Sequence, residues 1–138
     1  MAIDVGLRRV GLAISDCTQM LARPLMTINV HPGNTLDLVS KQIAELAAEE
    51  DGVAEIVVGL PVRLNGEPNQ QTAAVIAFIA GLKRRTSIPI ATEGEQLSSR
   101  EAESRLAVHE KDWRKRKAQL DAVAAAVILQ DYLDRRGR

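Results

Sequence analysis

Three carboxylates stand where the ligand sites of α/β proteins gather: Asp4, Glu95 and Asp121. Asp4 closes the first apolar run of the chain, next to Gly6, where a glycine turn lets another backbone approach. Glu95 follows the last strand-like run, in Glu93-Gly94-Glu95, and Asp121 falls in the first turn of a final helix expected over Ala118–Leu133. If the first and last strands are neighbours, their carboxyl ends share one edge of the sheet. A helix starting above that edge can lower the third acid into the cluster. Clustered carboxylates repel one another and persist only with a cation between them. Oxygen ligands without histidine or thiolate select Mg²⁺ or Mn²⁺ rather than zinc. Two such ions about 4 Å apart activate a water and stabilise the leaving oxygen of a phosphodiester. That is hydrolysis without a protein nucleophile. Each acid also has a plainer explanation: a strand-end turn residue for Asp4, an exposed loop acid for Glu95, a dipole-complementing helix acid for Asp121.

The elements that must position these groups are readable from periodicity. Ala2–Asp4 and Val10–Ser15 are short apolar runs joined by Val5-Gly6-Leu7-Arg8-Arg9, a hairpin in which Gly6 can supply a positive φ. Leu25–Val30 is a third strand, entered after Pro24. Thr35–Glu50 spaces Leu36, Val39, Ile43, Leu46 and Ala47 as an amphipathic helix, with Asn34 or Thr35 to cap it and Gly52 to end it. Glu55–Gly59 carries Ile56-Val57-Val58, the continuous apolar run of a strand covered on both faces. A loop over Pro61–Asn69 leads to a helix over Thr72–Arg85 and a brief strand around Ile90-Ala91. Ser98 or Ser99 caps a further helix through Leu106, and a polar, basic stretch over His109–Lys117 precedes the last helix. The order predicts an α/β fold: an antiparallel meander extended by two crossovers to parallel strands, a mixed five-stranded sheet flanked by helices.

The bulk numbers set the frame. A chain of 138 residues, 46% hydrophobic and 26% charged, is one ordinary globular domain spanning 1–138. Cys17 is the only cysteine, which excludes an internal disulfide and a cysteine-based zinc site. The longest apolar run, Ala122–Leu129, is far short of the roughly 20 residues that cross a bilayer, so no membrane partner is expected. The amino terminus enters a strand-like segment without a basic-then-apolar leader, and a cytoplasmic location is the expectation. Net charge is zero, with 18 basic and 18 acidic residues, which by itself points away from a polyanion. The distribution points back. Asn34–Glu55 holds six acids and one lysine, whereas Glu110–Arg138 holds eight basic and five acidic residues. Such asymmetry suits a protein offering one face to nucleic acid, although solvated helix faces also produce it.

The motifs then carry a resemblance. Asp4-Val5-Gly6-Leu7-Arg8-Arg9-Val10-Gly11-Leu12-Ala13-Ile14-Ser15-Asp16 resembles the amino-terminal motif of the YqgF/RuvX family of small RuvC-like resolvases and pre-ribosomal RNA nucleases. Val57-Val58-Gly59-Leu60-Pro61, with Gly66 after it, is similar to the family's second block. Asp121-Ala122-Val123-Ala124-Ala125-Ala126-Val127-Ile128-Leu129-Gln130-Asp131-Tyr132-Leu133 resembles its carboxy-terminal block. The resemblance implies a ribonuclease H-like fold and a catalytic, metal-binding triad of Asp4, Glu95 and Asp121. Two departures stand out. Leu7 replaces the usual threonine or serine after Asp-x-Gly, removing a possible phosphate donor. Gly94-Glu95-Gln96-Leu97-Ser98-Ser99 keeps the glutamate, leucine and hydroxyls of the usual Asp-Glu-Arg-Leu-Thr block but loses its first acid and its arginine.

The segment carrying Lys111, Trp113, Arg114, Lys115, Arg116 and Lys117 resembles the family's mobile loop before the last helix. Basic side chains there would neutralise phosphates without reading sequence, and Trp113 would stack on a base or simply anchor the loop. Arg8 and Arg9, in the turn beside Asp4, are the candidates for positioning a scissile phosphate. His31 and His109 lack partners at ligand spacing and are expected at the surface; Cys17 is expected as a small packing residue.

Three functions follow. The first is a metal-dependent nuclease, processing the 5′ end of pre-16S ribosomal RNA as a monomer or weak homodimer, with RNA favoured over DNA. The second is Holliday-junction resolution, which needs two sites about a twofold axis. The third is a nucleic-acid-binding module without catalysis, which the departures at Leu7, Gly94 and Gln96 would suit.

Overall fold

The computed structural model describes residues 1–61, 70–94 and 113–137, with side chains from residue 119 onward in the last stretch. In chain order the elements are β1 (Ala2–Val5), β2 (Arg9–Ser15), β3 (Ala22–Asn29), α1 (Thr35–Ala47), β4 (Ile56–Leu60), α2 (Gln70–Lys83), β5 (Ile90–Gly94) and α3 (Trp113–Arg136). The five strands form one sheet in the order β3-β2-β1-β4-β5. β1–β2 and β2–β3 pair antiparallel, whereas β1–β4 and β4–β5 pair parallel. The mixed sheet is therefore as expected. The first and last strands are not neighbours, because β4 lies between them. Since β1, β4 and β5 run the same way, their carboxyl ends still share one edge.

The period-two alternation of the strands sorts side chains onto two different faces. Ile3, Val10, Leu12, Ile56 and Val58 pack with Val39, Ile43 and Leu46 of α1 and Val75, Ile79 and Leu82 of α2. The other face presents Ala2, Ala13 and Val57 to Ala125, Ala126, Ile128 and Leu129 of α3. One face is filled by branched aliphatics. The other is kept shallow by glycine and alanine, so α3 lies close to the sheet.

Several local expectations are corrected. Pro24 lies inside β3, not before it; β3 is an edge strand, and its register shifts between Leu12 and Ala13, the edge and bulge setting in which a proline is tolerated. Gly6 is needed for close approach, not for a positive φ: its N–H donates to the Arg9 carbonyl at 3.0 Å, and a Cβ there would stand 2.6 Å from that oxygen. Gly52, at φ 61°, does take the left-handed conformation after α1. Asn34 occupies the N-cap position of α1, but its side chain accepts from the His31 N–H at 2.9 Å instead of capping the helix. Cys17 is exposed, so it is not a packing residue. His31 is exposed, as expected; His109 and the helix expected from Ser98 or Ser99 through Leu106 lie outside the described residues. No described helix is long and apolar enough to cross a membrane.

Candidate active site

The site is built on one row of residues running across the sheet. Asp4 of β1 stands directly opposite Gly11 of β2, so both project to the α3 face. Continuing the β1–β4 register by one residue from Ile3↔Val58 brings Asp4 alongside Gly59, and Gly59 in turn pairs with Glu93 of β5. Gly11 and Gly59 thus flank Asp4, leaving its surroundings free of side-chain bulk on both sides.

Gly11 fixes the helix. A Cβ added there would lie 1.9 Å from the Asp121 carbonyl oxygen and 2.8 Å from the Ala122 nitrogen. No other residue fits without lifting α3 from β2. The approach sets the Asp121 backbone over the residue that pairs with Asp4, and so brings two of the three predicted acids to one place. Asp121 is not in the first turn of its helix, because α3 begins at Trp113. Arg114, Lys115, Arg116 and Lys117 are strong helix formers, and their propensity extends the helix ahead of the alanine run even though positive charge suits that end poorly. The stretch Trp113–Lys117 is therefore helical, not a loop. Lys111 lies outside the described residues.

Arg9, also on the α3 face by strand alternation, donates from Nε to Asp121 Oδ2 at 2.8 Å. Both side chains are partly exposed, 39% for Arg9 and 25% for Asp121. Sequence reasoning assigned Arg9 to a phosphate; in the structure its partner is the carboxylate. Arg8 is exposed in the turn, and its backbone carbonyl accepts from the Val30 N–H at 2.8 Å.

Glu95 lies outside the described residues, but the strand leading to it is longer than expected: Glu93 and Gly94 are part of β5. Glu93 is 3% exposed and ion-paired with Arg135 near the end of α3. A buried carboxylate needs such a partner. The pair ties β5 to the far end of the helix whose other half carries Asp121. Alternation with Ala91, two residues earlier, was the signal that Glu93 faces inward.

Asp16, the second acid of the amino-terminal motif, stands at the opposite end of β2 from the turn beside Asp4. Its carboxylate accepts from the Thr18 hydroxyl and from the N–H groups of Met20 and Leu21. Those bonds, the Thr18 one foremost, hold its pKa below the ordinary carboxylate range. Of the motif's two acids, Asp16 thus serves the turn.

The oxygen-only donors of Asp4 and Asp121 suit a hard divalent cation such as Mg²⁺ or Mn²⁺. Among the described residues, no group of three histidines, cysteines or acids is close enough to hold a metal. The oxygen donors considered are two carboxylates, and one of them, Asp121, is ion-paired with Arg9.

Comparisons with known proteins agree with this architecture. The RuvX family model, described as Holliday junction resolvase, matches residues 1–135. A protein of Chloroflexus aurantiacus bearing the name "Putative pre-16S rRNA nuclease" is 44% identical over 136 residues, covering 99% of this chain and 86% of its own. A protein of the same name from Maridesulfovibrio salexigens is 42% identical over 135 residues, covering 98% and 97%. Among solved structures, RuvC of T. thermophilus in complex with a Holliday junction substrate aligns with a TM-score of 0.55 at 15% identity, covering 98% of this chain and 92% of that one. That likeness establishes the ribonuclease H-like fold.

Proposed function

The chain belongs to the RuvX family, and we propose that it is a divalent-metal-dependent nuclease that trims precursor 16S ribosomal RNA. The single observation that carries this reading is the convergence of Asp4 and Asp121 on one face of the sheet, enforced by the absence of a side chain at Gly11. Glu95 is the third ligand in this reading. A bound Mg²⁺ or Mn²⁺ would supply Lewis-acid stabilisation of charge at the phosphodiester. The chain's own part is to hold the carboxylates on rigid elements and to present Arg8, Lys111, Arg114, Lys115, Arg116 and Lys117 to backbone phosphates, with Trp113 against a base. RNA is favoured because the relatives' names specify it, and the protein acts as a cytoplasmic monomer.

The family's description supports a second reading, resolution of four-way junctions. Resolution needs two coupled sites and hence a dimer. The large apolar side chains most exposed among the described residues are Leu7, Met20, Leu21 and Ile76. They are spread over the β1–β2 turn, the β2–β3 turn and α2, which favours the monomer. The test compares single-stranded RNA, duplex and a fixed four-way junction of matched sequence, each with and without Mn²⁺ or Mg²⁺. Metal-dependent cleavage fastest on single strands is the expected result. Paired symmetric nicks on the junction, faster than any single-strand cut, would promote the resolvase; binding without cleavage of any substrate would leave only a binding module.

A further inference from the structure

Arg9 contacts Asp121, a carboxylate that the proposed function gives to a cation. The pair does not come from chain adjacency: 112 residues separate the partners, and each is held by a different element, Arg9 at the start of β2 and Asp121 in the third turn of α3. The backbone of Asp121 is already positioned by its contact with Gly11. Arg9 is therefore not needed to place the helix. What it contributes is charge. Two carboxylates brought to one row repel, and a guanidinium beside one of them relieves that repulsion when no cation is present. By the hairpin register Arg9 is level with Gly6, two residues along from Asp4 and on the same face of the sheet.

Resting on the nuclease reading, the geometry points to Arg9 as a built-in stand-in for the metal, a positioning residue that occupies Asp121 until a divalent ion displaces it. The two cannot serve Asp121 equally well together. A guanidinium bonded to Oδ2 withdraws lone-pair density the cation would use, and its charge opposes a divalent ion across about 5 Å, an effect of roughly tenfold on binding in a water-like dielectric. Once displaced, the guanidinium stands at the same edge with five N–H donors in a planar fork, the geometry that grips a phosphate. Metal loading thus converts Arg9 from a carboxylate partner into a substrate contact. Metal-free protein is kept folded and weakly binding; loaded protein is primed.

The experiment is thermal melting of the full chain as wild type, Arg9→Gln and Arg9→Lys across a Mn²⁺ titration, with Arg85→Gln as a control that breaks a surface pair with Asp37 instead. Without metal, Arg9→Gln should melt below wild type. With Mn²⁺ its rise should be larger and should begin at about tenfold lower concentration, so that the two melting curves converge or cross. Arg9→Lys, which keeps the charge, should track wild type in its Mn²⁺ response, and Arg85→Gln should shift equally at every concentration. If Arg9→Gln is unfolded without metal, millimolar Mn²⁺ should fold it, and failure to do so overturns the proposal. A constant offset between Arg9→Gln and wild type would make the pair merely structural, and a smaller Mn²⁺ rise in Arg9→Gln would make Arg9 an orienting partner of the bound ion. Either result overturns the stand-in. Absence of any Mn²⁺ response in wild type itself would instead remove the metal reading on which the inference rests.

Discussion

The two faces of the sheet are built on different principles. Toward α1 and α2, the strands offer Ile3, Val10, Leu12, Ile56 and Val58, all fully buried, and the gap between layers is filled by branched side chains. Toward α3 they offer Ala2, Gly11, Ala13, Val57 and Gly59, and the gap is closed by bringing the helix backbone down to the sheet. The first face stabilises by burying apolar area. The second buries less per residue but fixes where Asp121 stands relative to Asp4. The branched aliphatic core lies on one side of the sheet, and the close helix approach that the proposed site depends on lies on the other.

That comparison can be broken at its strongest point first. Asp4→Asn removes a proposed ligand without changing shape, and metal-dependent cleavage should fall by at least about 10²-fold, the scale of losing an electrostatic catalytic element. Melting of the metal-free variant should stay near wild type, and a lost cooperative transition would show Asp4 to be structural. Gly11→Val should follow closely. Lifting α3 off β2 displaces Asp121, and a 1 Å error in a reacting group costs about 10²-fold in rate, while overpacking costs about 1–3 kcal/mol of stability. Cleavage close to the wild-type rate in a folded Gly11→Val protein would mean that the close approach does not position the site.

Leu12→Ala, one residue along the same strand but pointing the other way, should behave in the opposite sense. It should lose about 2–5 kcal/mol in denaturant unfolding and keep its rate per folded molecule. The smallest effect concerns the turn at the far end of β2. Because the Asp16 carboxyl is held below its ordinary pKa, its contribution to stability is present above the unfolded value of 3.8 and is lost as pH falls below it. Asp16→Asn should therefore flatten the acid side of a pH–melting profile slightly and leave cleavage unchanged.

Much of this was legible in the sequence. The order of strands and helices follows from period-two and period-3.6 patterning, and the Asp121 backbone lies over Gly11, the residue that pairs with Asp4. The start of α3 was not legible, because the polarity of Arg114–Lys117 reads as a loop whereas their helix propensity continues the helix. Glu93 was placed beyond its strand since β5 begins with a weakly apolar run; alternation with Ala91 marks the face it lies on, but its ion-pair partner Arg135, 42 residues away in the chain, is not visible in local pattern. The Arg9–Asp121 pair was hidden for the same reason. Local pattern reports faces and periods; which charged groups meet across the fold depends on how two distant elements pack. Glu95, Lys111 and the side chains of Trp113–Lys117 lie outside the described residues.

The central claim is that Gly11 and α3 bring Asp121 to Asp4 to serve a metal-dependent cut. The most direct test measures cleavage of end-labelled single-stranded precursor RNA by wild type and Asp121→Asn at matched protein concentrations across a Mn²⁺ titration, with melting curves of both. Wild type should cleave only when Mn²⁺ is present, and Asp121→Asn should be at least about 10²-fold slower at every metal concentration while remaining folded. Cleavage by Asp121→Asn at the wild-type rate, or wild-type cleavage that persists in chelator, would contradict the account.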